Sequence, residues 1–150
     1  MDLHAQGFLG THGSVGADLS LLITLVAAAL LTAGVFLARL RRYEAHRWVQ
    51  TAAVALTFVP IVFWMLVSLV RIILPGLPGD LRYPSFALAT VHVLLGALAA
   101  VFGAVLVVRS QQLFAGGRSL AAYRTPMRVA YGLYLVATAA GVAVYVVTYG

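Results

Sequence analysis

His92 is the only ionisable side chain in a run of mostly apolar residues from Phe86 to Val108. As a helix, that run is long enough to cross the ~30 Å hydrocarbon core of a bilayer. An ionisable group at such depth is costly and turns toward a bundle interior or a cavity, so His92 is the leading site candidate. An imidazole there supports two chemistries: a neutral ring held by hydrogen bonds, or an axial ligand to haem b or copper. The chain has no cysteine, which excludes disulfides, thiolate metal ligands and a cysteine nucleophile.

The other histidines rank lower. His12 lies in a glycine-rich lead-in and is the candidate to join His92 on a metal ion. His46, beside Arg47 at the start of an apolar span, reads most simply as an interfacial helix cap, and His4 as solvated. No phosphate loop, His-Glu-x-x-His zinc helix or nucleophile elbow is present. Gly7-Phe8-Leu9-Gly10 and Gly13–Gly16 are turn-formers, since no strand precedes them to make a dinucleotide fingerprint. The pattern favours a non-enzymatic protein.

The elements that must position these residues follow from composition. The 150-residue chain is 63% hydrophobic and 9% charged, against roughly 25% charged residues in a soluble domain. Four apolar blocks, about 19–40, 49–73, 85–108 and 127–149, are each long enough to span a bilayer. Short connections predict an all-α, up-down-up-down four-helix bundle integral to a membrane, preceded by a lead-in over residues 1–17. That lead-in lacks a basic start followed by an apolar stretch, so no cleaved signal peptide is expected. All ten basic residues are Arg, and the net charge of +6 sits in short loops. It therefore reads as a topology signal and not as a nucleic-acid footprint. Arg39, Arg41, Arg42 and Arg47 surround the first connection and Arg109, Arg118, Arg124 and Arg128 the third, which predicts both of these in the cytoplasm and both termini outside. The second connection, Leu74 to Asp80, is a Pro/Gly turn. Pro60 should kink the second helix, whereas Pro126 sits harmlessly in the first turn of the fourth.

Projection at ~100° per residue sorts the polar groups onto faces. On the second helix His46, Gln50, Thr57, Pro60, Trp64, Ser68 and Arg71 share a stripe. On the fourth, Tyr131, Tyr134, Thr138, Tyr145 and Tyr149 share another. Lipid cannot satisfy these groups, so the stripes should turn inward or toward a partner subunit. Gly96, Ala99 and Gly103 lie on the His92 face. Small residues at such spacing mark either close helix packing or a trough for a flat ligand such as a porphyrin edge or quinone ring. Tyr43 and Tyr149 read as headgroup anchors and Arg71 as a snorkelling side chain. At 1.5 Å rise per residue, His92 lies ~10 Å into the core from the outer side, level with Tyr145, Ser68, Trp64 and Thr24. His12 and Asp18 lie above that level. The expected binding cluster is thus His92, Tyr145, Gly96, Trp64 and Ser68, with His92 and His12 as metal ligands. His46 falls some 20 Å away at the cytoplasmic edge, which excludes a bis-histidine haem with His92.

Three stretches carry a resemblance to a known group: His46-Arg47-Trp48-Val49-Gln50-Thr51-Ala52-Ala53 opening a span, Tyr83 nine residues before His92, and Gly141-Val142-Ala143-Val144-Tyr145 near the C-terminus. Together they resemble the bacterial membrane family called domain of unknown function 420, which includes YozB/CtaM-type factors of haem–copper oxidase maturation. The similarity runs from about Leu19 to Gly150 through short motifs. The family's histidine-containing stretch before the last helix has no counterpart in Gly116–Tyr123. The resemblance implies a four-helix protein of the prokaryotic cytoplasmic membrane, with histidines at the positions of His46 and His92 and respiratory oxidase subunits as partners. The expected role is that of an accessory protein in oxidase maturation or cofactor handling. The alternatives are an electron-transfer module binding haem or quinone through His92 and the Tyr145 region, or a structural subunit of a larger membrane complex.

Overall fold

The computed structural model describes residues 5–116 and 123–150. His4, Arg118 and most of the Gly116–Tyr123 stretch lie outside the described residues. Four long helices make up the molecule: α1 (Val15–Arg39), α2 (Tyr43–Gly76), α3 (Pro84–Ala115) and α4 (Arg124–Tyr149). Each is long and apolar enough to cross a membrane, so the chain is an all-α, multi-pass membrane protein. The helices run alternately up and down. α1 packs along α2 and α3 along α4, while α1–α4 and α2–α3 contacts close the ring.

The packing follows the rule for lipid rather than for water. The buried apolar residues are mostly small, including Ala27, Ala53, Ala99, Ala100 and Ala137, while Phe63, Val70, Leu94, Leu98 and Val101 face outward. Hydrocarbon solvates large apolar side chains as well as a protein core does, so small residues gather where backbones approach.

Helix ends are set by local chemistry. Ser14 caps α1 by accepting a hydrogen bond from the Ala17 amide at 3.3 Å, and Pro84 opens α3 at a position where its missing N–H costs nothing. α1 closes with the Arg42 amide donating to the Leu37 carbonyl at 2.9 Å and the Arg41 amide to Ala38 at 3.1 Å. That is the Schellman pattern, which requires a left-handed residue after the cap. Here Arg41 takes it, at φ 59°.

All four helices exceed their hydropathy-defined limits by several residues: α1 begins at Val15, α2 at Tyr43 and α4 at Arg124, and α3 runs to Ala115. The extensions at the arginine-rich end carry Glu44, Arg47, Arg109, Gln111, Gln112 and Arg124, which are polar enough to leave the apolar windows yet remain helical. At this arginine-rich end the Arg47 guanidinium lies 4.3 Å from the Phe114 ring centroid of α3 and 5.0 Å from that of Trp48. It also pairs with Glu44 at 3.2 Å.

Pro60 does more than bend α2. It is followed by a π-helical turn over Ile61–Met65 and a second over Leu69–Ile73. Each π turn inserts about one residue relative to the α register and so rotates everything beyond it by roughly 100°. The stripe drawn from His46 to Arg71 therefore holds only as far as Pro60.

Candidate functional site

Several hydroxyls within the spans are satisfied by their own helix. Thr51, Thr57, Thr90 and Ser110 each donate to a backbone carbonyl three or four residues earlier. Such groups need no partner and point to no site. A smaller set reaches across helices, and that set divides the bundle into layers.

The first layer closes the end where α1 begins and α4 finishes. Asp18, in the first turn of α1, is fully buried. Its Oδ2 accepts the backbone amides of Phe8 at 2.7 Å and Leu9 at 2.8 Å, and its Oδ1 accepts a short hydrogen bond from the Tyr145 hydroxyl of α4. Thr11 Oγ1 shares that hydroxyl at 2.7 Å. The lead-in is thereby folded back on itself: the Gly7 amide donates to Gly13 and the Val15 amide to Ala5, both at 2.9 Å. Gly7 and Gly13 are required there, because a Cβ at either would press on the Asp18 carboxylate. The His12 amide donates to the Tyr149 carbonyl at 3.0 Å, and its side chain is exposed.

The second layer lies deeper. His92 on α3 donates from Nδ1 to the Ala137 carbonyl of α4 at 3.0 Å. A carbonyl can only accept, so Nδ1 carries the hydrogen and Nε2 presents a lone pair. Ala137 is a helical residue whose carbonyl already faces the Gly141 amide one turn on. The imidazole reaches it because Gly141 has no side chain: a Cβ there would lie 2.7 Å from His92 Cε1. Beside the ring is a small cleft of about 30 Å³, lined by Thr24, Thr57, Met65, His92, Tyr134 and Thr138 among others.

The remaining layers sit toward the arginine-rich end. Thr32 and Tyr131 share a hydrogen bond of 3.0 Å between α1 and α4. His46 meets the Gly34 carbonyl at 2.7 Å and Gln50 donates to the Leu31 carbonyl at 3.1 Å, fastening α2 to α1. Gln111 donates to Thr51 at 2.8 Å, fastening α3 to α2. His46 thus acts as a tie between helices and not as the cap expected for it. It stands roughly 20 Å along α2 from Pro60, which borders the His92 cleft.

The expected cluster is divided by this arrangement. His92, Gly96 and Thr24 do border one cleft. Tyr145 is engaged instead with Asp18 and Thr11, two turns along α4 from Ala137. Trp64 and Ser68 do not border the cleft: Trp64 lies within the first π turn, where Ile61 and Met65 take the lining positions, and Ser68 lies beyond it. Tyr134 and Thr138 take their place; both lie on the polar stripe of α4, about three and two turns further from the lead-in than Tyr145. His12 belongs to the layer of the lead-in, not to that of His92, and a shared metal ion finds no support in the geometry. Among the described residues no group of three or more His, Cys, Asp or Glu side chains is placed to hold a metal. The trough for a flat ligand is likewise closed. Ligand pockets measure ~300–1,000 Å³, and a cleft of about 30 Å³ does not admit a porphyrin or a quinone ring.

Neither a protein-family model, nor a curated protein, nor a solved structure matches the chain.

Proposed function

We propose that this is a non-enzymatic membrane accessory protein, acting in the maturation of a respiratory haem–copper oxidase or in the handling of its cofactors, with His92 as its working residue. The observation that supports a role for His92 is its half-satisfied state. Nδ1 is fixed by Ala137 while Nε2 has no hydrogen-bond partner among the described residues. A histidine serving packing alone gains nothing from an open lone pair in hydrocarbon. The oxidase itself enters through the resemblance of the His46–Ala53, Tyr83–His92 and Gly141–Tyr145 stretches. Positive-inside reasoning supports an orientation with the arginine-rich end in the cytoplasm and both termini outside, in the inner membrane of a prokaryote.

Deletion of the gene tests the reading. The expected result is a loss of assembled oxidase in membrane haem spectra, restored by the wild-type gene and not by His92→Ala. Normal oxidase content in the deletion strain overturns it. The alternative, an electron-transfer module carrying haem b or quinone, requires the helices around His92 to part. It predicts a Soret band, or extractable quinone, in purified protein that disappears in His92→Ala.

A further inference from the structure

The net charge of the chain is gathered at one end of the bundle. Among the described residues, Arg39, Arg41, Arg42 and Arg47 near the first connection and Arg109, Arg124 and Arg128 near the third stand there against a single acid, Glu44. The opposite end balances Arg71 and Arg82 against Asp18 and Asp80. Glu44 is already paired with Arg47 at 3.2 Å. The guanidinium groups of Arg41 and Arg42 are exposed, and neither has a hydrogen-bond or ion-pair partner among the described residues. Both line a shallow groove of about 670 Å³, together with Tyr43, Glu44 and Ala45 at the start of α2 and Phe114 in the last turn of α3. That volume falls within the range of small-molecule sites. Arg41 also holds φ 59°, which glycine adopts more cheaply, so its charge is kept there against a backbone cost.

We propose that this groove binds the headgroup of an anionic phospholipid, with Arg41 and Arg42 on its phosphate and an acyl chain descending along α2 past Trp48. Guanidinium groups carry N–H donors in a planar fork that matches phosphate oxygens. Depth selects a lipid over a soluble anion. The groove opens at the ends of spanning helices, where the phosphodiesters of a bilayer are always present, and Leu40, Tyr43, Trp48 and Phe114 around it are exposed. Trp48 lies one turn beyond Glu44 on the same face of α2, on the way into the hydrocarbon. Tyr43 and Trp48 are also the amphipathic rings that favour headgroup level. Each arginine near an anionic surface adds roughly fivefold to binding. Two of them, beside an acid that is already paired, are enough to enrich one lipid over its zwitterionic neighbours. The groove does not border the His92 cleft, and the proposal rests on no role for that residue.

The experiment is quenching of tryptophan fluorescence by lipids brominated in their acyl chains, on full-length protein in phosphatidylcholine bilayers. Trp64→Phe leaves Trp48 as the sole tryptophan. Brominated phosphatidylglycerol should quench Trp48 at a mole fraction roughly tenfold lower than brominated phosphatidylcholine requires. Equal quenching by the two lipids overturns the proposal. Arg41→Gln with Arg42→Gln should abolish the preference. Arg124→Gln with Arg128→Gln removes the same charge from the same end but outside the groove, and should keep it. A matched loss in both double variants shows diffuse attraction to a basic surface and overturns the site. Should the groove variant fail to fold, the other decides, since loss of the preference on removing Arg124 and Arg128 overturns the site equally. Glycerol phosphate at millimolar concentration should leave the quenching unchanged. Displacement of the lipid by it shows a site for soluble phosphates and overturns the lipid assignment.

Discussion

The imidazole of His92 occupies the space that the missing side chain of Gly141 leaves on α4. A Cβ on Gly141 would meet Cε1 at 2.7 Å and Nδ1 at 3.2 Å, closer than unstrained atoms approach. The hydrogen bond to Ala137 depends on this one glycine.

Gly141→Ala should therefore displace the ring and cost about 1–3 kcal/mol, the range for overpacking a close contact. The measurement is the unfolding midpoint in detergent or nanodiscs. A double mutant with His92→Ala should recover most of the loss, because the clash partner is gone. Additive losses would show that the glycine matters for helix packing alone.

Asp18 holds the lead-in through hydrogen bonds from Phe8, Leu9 and Tyr145. Asp18→Ala leaves buried donors unsatisfied and should cost about 3 kcal/mol, whereas Tyr145→Phe, which removes one donor, should cost about half as much. Hydrogen exchange at the amides of Phe8 and Leu9 should accelerate strongly in Asp18→Ala. Exchange near Ala137 should not change, since the His92 layer uses other groups.

Arg41 adopts φ 59° where a Schellman motif favours glycine. Arg41→Gly removes a left-handed strain of roughly 1–2 kcal/mol, offset in part by the greater freedom of glycine in the unfolded chain. A net gain of about 0.5 kcal/mol in stability is expected, read as a raised thermal midpoint. Arg41→Ala should give no such gain.

Gly34 lets α1 accept Gln50 and His46 from α2. A Cβ on Gly34 would overlap the Gln50 amide. Gly34→Ala should destabilise the pair by about 1–2 kcal/mol, and Gln50→Ala in the same chain should relieve it. Gln50→Ala alone should cost only about 0.6 kcal/mol, the mean for interhelical hydrogen bonds in membranes. Comparison of thermal midpoints across the four proteins checks both values.

The four spans were readable because lipid imposes one strong rule on composition, and Phe86–Val108 and Met127–Tyr149 follow it apart from isolated residues such as His92 and Arg128. Their ends were less readable because Arg47, Gln111 and Arg124 are helical yet polar, and hydropathy stops where polarity begins. Faces could be projected wherever the α period holds, which placed Thr24, Gly96 and His92 together. Beyond Pro60 the projection failed for Trp64 and Ser68, since the π turn over Ile61–Met65 changes the period and leaves no side-chain signature of its own. The role of Asp18 was hidden for a different reason. Two of its partners are backbone amides of Phe8 and Leu9, which every sequence possesses and none advertises. Gly141 could have been suspected as a small residue one turn before Tyr145, but its contact with His92 needed the relative rotation of α3 and α4.

The Asp18–Tyr145 hydrogen bond also orders the assembly in time. Asp18 is synthesised long before Tyr145, so its carboxylate must stay hydrated while three helices are made and inserted. Only the final turns of the last helix bring the phenol that completes its shell. The start of α1 and the end of α4 are thus fastened by one bond, and the bundle is closed at that end only once α4 has been made.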